Sequence, residues 1–132
     1  MIERDFIMRL IRQFLEALNE FLSSPKKDKS EDIIMMYNTY VGPSEFLHGD
    51  DIQSIIKSFD KYGEGERLYR MEMLAELYLA ESKINEKERE SLLRKSYILF
   101  QYINANSNTY SFDRINKIQY IAGILNTLSD NN

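Results

Sequence analysis

Residues 67–104 hold two stretches of helical period with a short polar joint between them, and this doublet restricts the fold more than any other part of the chain. The first stretch, RLYRMEMLAELYLAESKI, sets Met71, Leu74, Ala75 and Tyr78 three or four residues apart, which makes one apolar stripe that narrows at the alanine. The second, EKERESLLRKSYILFQYIN, repeats the pattern with Leu92, Leu93, Ser96, Phe100 and Ile103. Neither helix can bury its stripe alone, so the two are expected to fold back on each other as an antiparallel hairpin that approaches closely at the small residues.

The remaining segments read as helices of the same kind. From 3 to 22, Phe6, Ile7, Leu10, Ile11, Phe14, Leu18 and Phe21 form a wide apolar face opposite Arg9, Arg12, Glu16 and Glu20, with Glu3 and Asp5 at the positive end of the helix dipole. Pro25 ends that helix within a polar joint that carries Lys26, Lys27 and Lys29, a cluster whose field Asp28, Glu31 and Asp32 largely cancel. Ser30 is the expected N-cap of a second helix, and its run Ile33-Ile34-Met35-Met36-Tyr37 suggests burial on several sides. Gly42-Pro43 closes it, and an irregular link carrying Phe46 and Leu47 leads to a helix that begins at Asp50-Asp51. Gly63 and Gly65 are expected to break that helix before the hairpin. Within the hairpin, Asn85 and Glu88 have the spacing of a capping box. Ser111 is placed to cap a last helix, with Tyr110 packed on Ile115, and Ile115, Ile118, Ile121, Leu125 and Leu128 form its stripe.

The expected fold is therefore all-α: about six helices in one domain over residues 1–132, with a long amphipathic helix at 3–22, short helices over 30–63, and the hairpin with a C-terminal capping helix over 67–128. The stripe Met71, Leu74, Ala75, Tyr78, followed by Ser96, Phe100, Ile103 and Asn108, resembles the two helices of a tetratricopeptide repeat and implies a tetratricopeptide-like α-α superhelix. The joint is about nine residues longer than the ~34-residue repeat allows, Ile103 is large for its slot, and Asn108 stands in place of proline.

At 132 residues the chain is long enough for one core, and 43% hydrophobic with 29% charged residues is ordinary globular usage. Cysteine is absent, which removes disulfides, thiol nucleophiles and thiolate metal sites and suits a reducing compartment. The net charge is −4 with mixed signs, so nucleic acid is not an expected partner. No apolar run approaches the ~20 residues needed to span a bilayer, no secretion signal is evident, and the expected setting is the cytoplasm.

The opening MIERDFIMRLIRQFLEAL, the LAELYLAE segment and NTYSFDRINKI together resemble a family of short bacterial all-helical proteins that begin Met-Ile-Glu-Arg-Asp and continue in an apolar helix. The resemblance covers nearly the whole chain and is most specific at its start. It implies helical hairpins of the tetratricopeptide kind and carries over no reaction, ligand or catalytic residue.

Candidate chemistry is sparse. His48 is the single histidine and is flanked by Asp50 and Asp51, but a transition-metal site wants three or four donors and no second nitrogen or sulfur ligand exists. Glu72 and Glu76 share a helix face, as solvated pairs commonly do. The five glycines are scattered and form no phosphate-binding loop. No catalytic residue, cofactor or metal is assigned. Nine tyrosines and seven phenylalanines are the feature that points outward, because aromatics with polar tips suit protein interfaces. The expected function is a non-enzymatic module for protein–protein interaction or self-association, with a homodimer as the form the latter would take, and Phe6, Leu10, Phe14, Tyr69, Tyr78 and Tyr102 are its candidate contact residues. The alternative is a small-molecule or metal-binding protein, an enzyme included, with a pocket near His48, Asp50 and Asp51.

Overall fold

Every apolar stripe found in the sequence lies on a helix. The computed structural model describes the backbone of residues 2–130 and the side chains of residues 4–129, so the place of Glu3 at the helix dipole lies outside the described side chains. Within that range there are seven α-helices and no strand: α1 (Ile2–Ser23), α2 (Ser30–Tyr40), α3 (Ser44–Gly49), α4 (Ile52–Ser58), α5 (Glu64–Ser82), α6 (Arg89–Asn106) and α7 (Phe112–Asp130). A single 3-10 turn, Phe59–Lys61, follows α4.

The hairpin is at the centre. Met71, Leu74, Ala75, Leu77 and Tyr78 of α5 are almost fully buried, as are Leu93, Leu99, Phe100 and Ile103 of α6. Ser96 Oγ donates to the carbonyl of Ala75 at 2.8 Å, and these two small residues lie equally far from the joint, so the helices run antiparallel and approach closely there. α1 and α2 pack on α5, and α7 packs on α6 through the fully buried Ile121. One continuous core results, with Phe14, Leu18 and Phe21 of α1 and Ile33, Met36 and Tyr37 of α2 joined to it.

The ends of the helices differ from expectation in physically clear ways. Residues 44–49 are a helix, α3, and not an irregular link, which makes seven helices where six were expected. Six residues are too few to show a period or to hold a helix without tertiary support. α2 begins at Ser30 itself, where Asp28 Oδ1 accepts from both the Ser30 amide (3.0 Å) and its hydroxyl (2.6 Å). Only one face of α2 is buried: Ile34 and Met35 remain exposed. Gly65 lies inside the first turn of α5, whose break is made at Gly63 alone. Asn85 Oδ1 does accept the Glu88 amide at 3.3 Å, but α6 starts only at Arg89 and the Asn85 amide turns back to Glu81. Ser111 Oγ takes the Arg114 amide as a cap, and the Tyr110 ring stands edge-on to Phe112, 4.8 Å away. The basic joint is absorbed locally: Lys29 Nζ donates to the last-turn carbonyl of Phe21 at 2.7 Å, and Lys26 pairs with Asp32 at 3.3 Å.

Candidate functional site

Two places gather polar side chains. The first is buried where α2, α3 and α5 meet. Glu81 continues the α5 stripe of Leu74 and Tyr78, so its carboxylate points into the core and is only 7% exposed. Oε1 accepts from Tyr37 Oη and from His48 Nε2, both at 2.7 Å, and Oε2 accepts from Asn85 Nδ2 at 3.0 Å. The other ring nitrogen of His48, Nδ1, lies 2.7 Å from the carbonyl of Ser44, which can only accept. Both ring nitrogens therefore carry protons, and the histidine is an imidazolium paired with a carboxylate. The tyrosine ring stands edge-on to the imidazolium at 4.7 Å.

The charges follow from these contacts. The hydrogen bond to Glu81 raises the His48 pKa above its ordinary value despite partial burial. Burial works to raise the Glu81 pKa, but the bonds from His48, Asn85 and Tyr37 outweigh it and hold the carboxyl below its ordinary value. Burial pushes the Tyr37 hydroxyl far up, so it stays a donor. Beside this pair, Lys95 Nζ donates to the carbonyls of Leu47 (3.2 Å) and His48 (3.1 Å), and Tyr78 Oη donates to Leu47 at 2.6 Å. These are last-turn carbonyls of α3, where a cation also suits the helix dipole. The cluster thus fastens a helix too short to stand by itself onto α5 and α6. While protonated, His48 has no lone pair for a metal or for proton abstraction.

Stability should consequently depend on pH. Because the folded His48 pKa is raised, its share is complete below the ordinary value of 6.5 and is lost as pH climbs through the raised value. The lowered Glu81 pKa makes its share complete above 4.5 and lost as pH falls through the lowered value. The ion pair contributes fully between these limits. Urea unfolding of the protein and of His48→Gln across pH 5 to 9 is expected to show a stability gap that shrinks by about 1 kcal/mol toward the alkaline end. A gap independent of pH would mean that the histidine is neutral throughout.

The residues near His48 do not converge. Asp51 caps α4, its Oδ1 accepting the Ser54 amide at 2.9 Å, and Asp50 is exposed. Among the described residues no three histidine, aspartate or glutamate side chains are grouped so as to hold a metal ion.

The second place is a groove of about 210 Å³ whose floor is α5 and whose walls are α1 and the start of α7. Ile11, Phe14 and Leu15 line one side, Tyr69 and Met73 the floor, and Glu72, Glu76 and Asp113 the other side. Lys117 bonds to Glu76 and lies 3.0 Å from Asp113, whereas Glu72 faces the buried Arg114 at 3.7 Å. Burial raises the Glu72 pKa, and Arg114 only partly opposes this. Leu15, which lines the groove, is 47% exposed, and Met8 and Leu22, seven residues to either side of it on α1, are 48% and 45% exposed.

The six contact residues expected from sequence are dispersed. Phe6 and Tyr69 are exposed, Leu10 is half-buried against the core, and Tyr102 is on the outer side of α6, at a different recess from the α1–α7 groove. Phe14 is reached only at the base of the groove, and Tyr78 is wholly buried, so neither offers a surface that a partner could cover. Sequence reasoning did not single out Met8, Leu15 and Leu22, which the structure leaves exposed on α1 at a spacing of seven.

Comparison of the chain with family models, with curated proteins and with solved structures finds no match. The fold and the two polar clusters define an all-α protein built on a helical hairpin. Among the described residues no helix is long and apolar enough to cross a membrane.

Proposed function

We propose that this is a non-enzymatic protein-interaction module, tetratricopeptide-like in the packing of α5, α6 and α7, that works in the cytoplasm and binds through α1 and the groove beside it. The observation that carries the reading is the line of Met8, Leu15 and Leu22, three large apolar side chains each nearly half exposed at intervals of seven on α1, outside the buried stripe of Ile7, Phe14, Leu18 and Phe21. Single exposed apolar residues are ordinary, but three at a fixed interval on one helix, the middle one also lining a groove, form the kind of surface that interaction sites present. The polar chemistry supports the same reading, since His48 and Glu81 are engaged with each other and with the helix ends they hold.

Methionine footprinting tests it. Met8 is on the proposed face, and Met35 of α2, 66% exposed, is an internal reference on another surface. Peroxide converts an exposed methionine to its sulfoxide at a rate set by access. In an extract of the producing cells Met8 is expected to oxidise several-fold more slowly than in the dilute purified protein, with Met35 unchanged, and Leu15→Glu is expected to abolish the protection. Equal rates for Met8 in both settings would overturn the proposal.

A further inference from the structure

The line on α1 has a symmetry of its own. Met8, Leu15 and Leu22 are spaced by seven residues with Leu15 at the midpoint, and at 1.5 Å per residue they extend over about 21 Å. A spacing of seven keeps apolar side chains facing a second helix that crosses at a shallow angle. A line that is even about its midpoint is also complementary to itself when one copy is turned by a two-fold axis through that midpoint, which is the requirement of an isologous contact.

Charge selects the direction of the pairing. In sequence the first half of α1 carries Arg4, Arg9 and Arg12 against Glu3 and Asp5, a net positive charge, whereas Glu16 and Glu20 are the charged residues of the second half, which has no lysine or arginine. Arg12, Glu16 and Glu20 make no ion pair among the described residues. Two such helices laid parallel would set basic half against basic half. Laid antiparallel, they bring the arginine-bearing half of each beside the glutamate-bearing half of the other, with opposed helix dipoles.

We infer that the occupant of this face is a second copy of the chain, paired antiparallel through α1 about a two-fold axis at Leu15, with Met8 of each copy beside Leu22 of the other. The inference rests on the reading of α1 as an interaction face and names what covers it. A contact of this length is at the small end for specific association, so a dimer that dissociates in the micromolar range is expected.

Sedimentation velocity from micromolar to near-millimolar protein measures this directly. The chain is expected to pass from monomer to dimer, and Leu15→Glu, which sets two like charges together on the axis, is expected to raise the dissociation constant about tenfold or more. Leu15 is half exposed, so the far-UV circular dichroism and the urea midpoint of that variant should match the parent. The absence of native cysteine allows the register to be read by oxidation. Leu15→Cys is expected to cross-link to itself, and Met8→Cys to cross-link with Leu22→Cys when the two are mixed but with neither alone. A monomer at every concentration, a dimer indifferent to Leu15→Glu, or cross-linking of Met8→Cys to itself would each overturn the inference. A monomer whose Met8 is still protected in extract would discard the second copy and keep the interaction reading; an unprotected Met8 would remove both.

Discussion

Replacing Glu81 with alanine is expected to lower the unfolding free energy by about 3–5 kcal/mol, the range for removing one member of a buried charge pair. The loss exceeds that of one contact because three donors converge on this carboxylate: Tyr37 Oη, His48 Nε2 and Asn85 Nδ2. Tyr37 is fully buried, and its hydroxyl would be left without an acceptor. The imidazolium would lose its counter-ion while Lys95 stayed bonded to the carbonyl of the same residue. Glu81→Gln is the milder change, since it keeps one acceptor oxygen for Tyr37 and His48 while it removes the charge and sets an NH2 where the second oxygen accepted from Asn85; about half of the loss is expected there. NMR titration of the His48 ring should show its pKa falling in both variants as the raising contact is removed. Urea unfolding with an unchanged m-value is the measurement, and a loss below about 1 kcal/mol would show that water had taken over the role of the carboxylate.

This cluster also marks where reading the sequence stopped. The core stripes on α5 and α6 and the face of α1 with Phe14, Leu18 and Phe21 were legible because burial in a helix repeats every three or four residues, and repetition is a local property. The close approach at Ala75 and Ser96 was legible for the same reason. α3 was not, because its hold comes from Lys95 and Tyr78, far away along the chain. Glu81 meets Tyr37 across 44 positions and His48 across 33, and no pattern within a single helix encodes such a meeting. One local sign did exist: a glutamate that continues the line of Leu74 and Tyr78 is an acid on a buried face, and such an acid needs a partner. On α1 the fixed interval of Met8, Leu15 and Leu22 was similarly in view, but not that these three stay exposed. Size was the misleading guide there, because the largest aromatics are the residues a core recruits first.

Tyr78 shows the consequence of that competition, and Tyr78→Ala is expected to destabilise the chain by about 3–5 kcal/mol, as truncation of a buried aromatic does. Its ring is fully buried between Tyr37, 5.9 Å away, and His48, 6.3 Å away and edge-on, with Lys95 Nζ over its face at 5.6 Å. Removing it would open a void beneath α3 and withdraw the hydroxyl that the Leu47 carbonyl accepts. Tyr78→Phe isolates the second effect at about 1 kcal/mol, because Lys95 still serves the same carbonyl. Against a total stability of roughly 5–15 kcal/mol for a domain, the alanine variant would lose a third or more. Tyr102→Ala is the control: that ring is 36% exposed and should cost less than about 0.5 kcal/mol. Urea midpoints for the three variants would order as alanine at 78, phenylalanine at 78, alanine at 102, from lowest to highest. Equal midpoints for the two alanine variants would place Tyr78 at the surface, and a surface Tyr78 would take α3, the histidine and the carboxylate out of the interior with it.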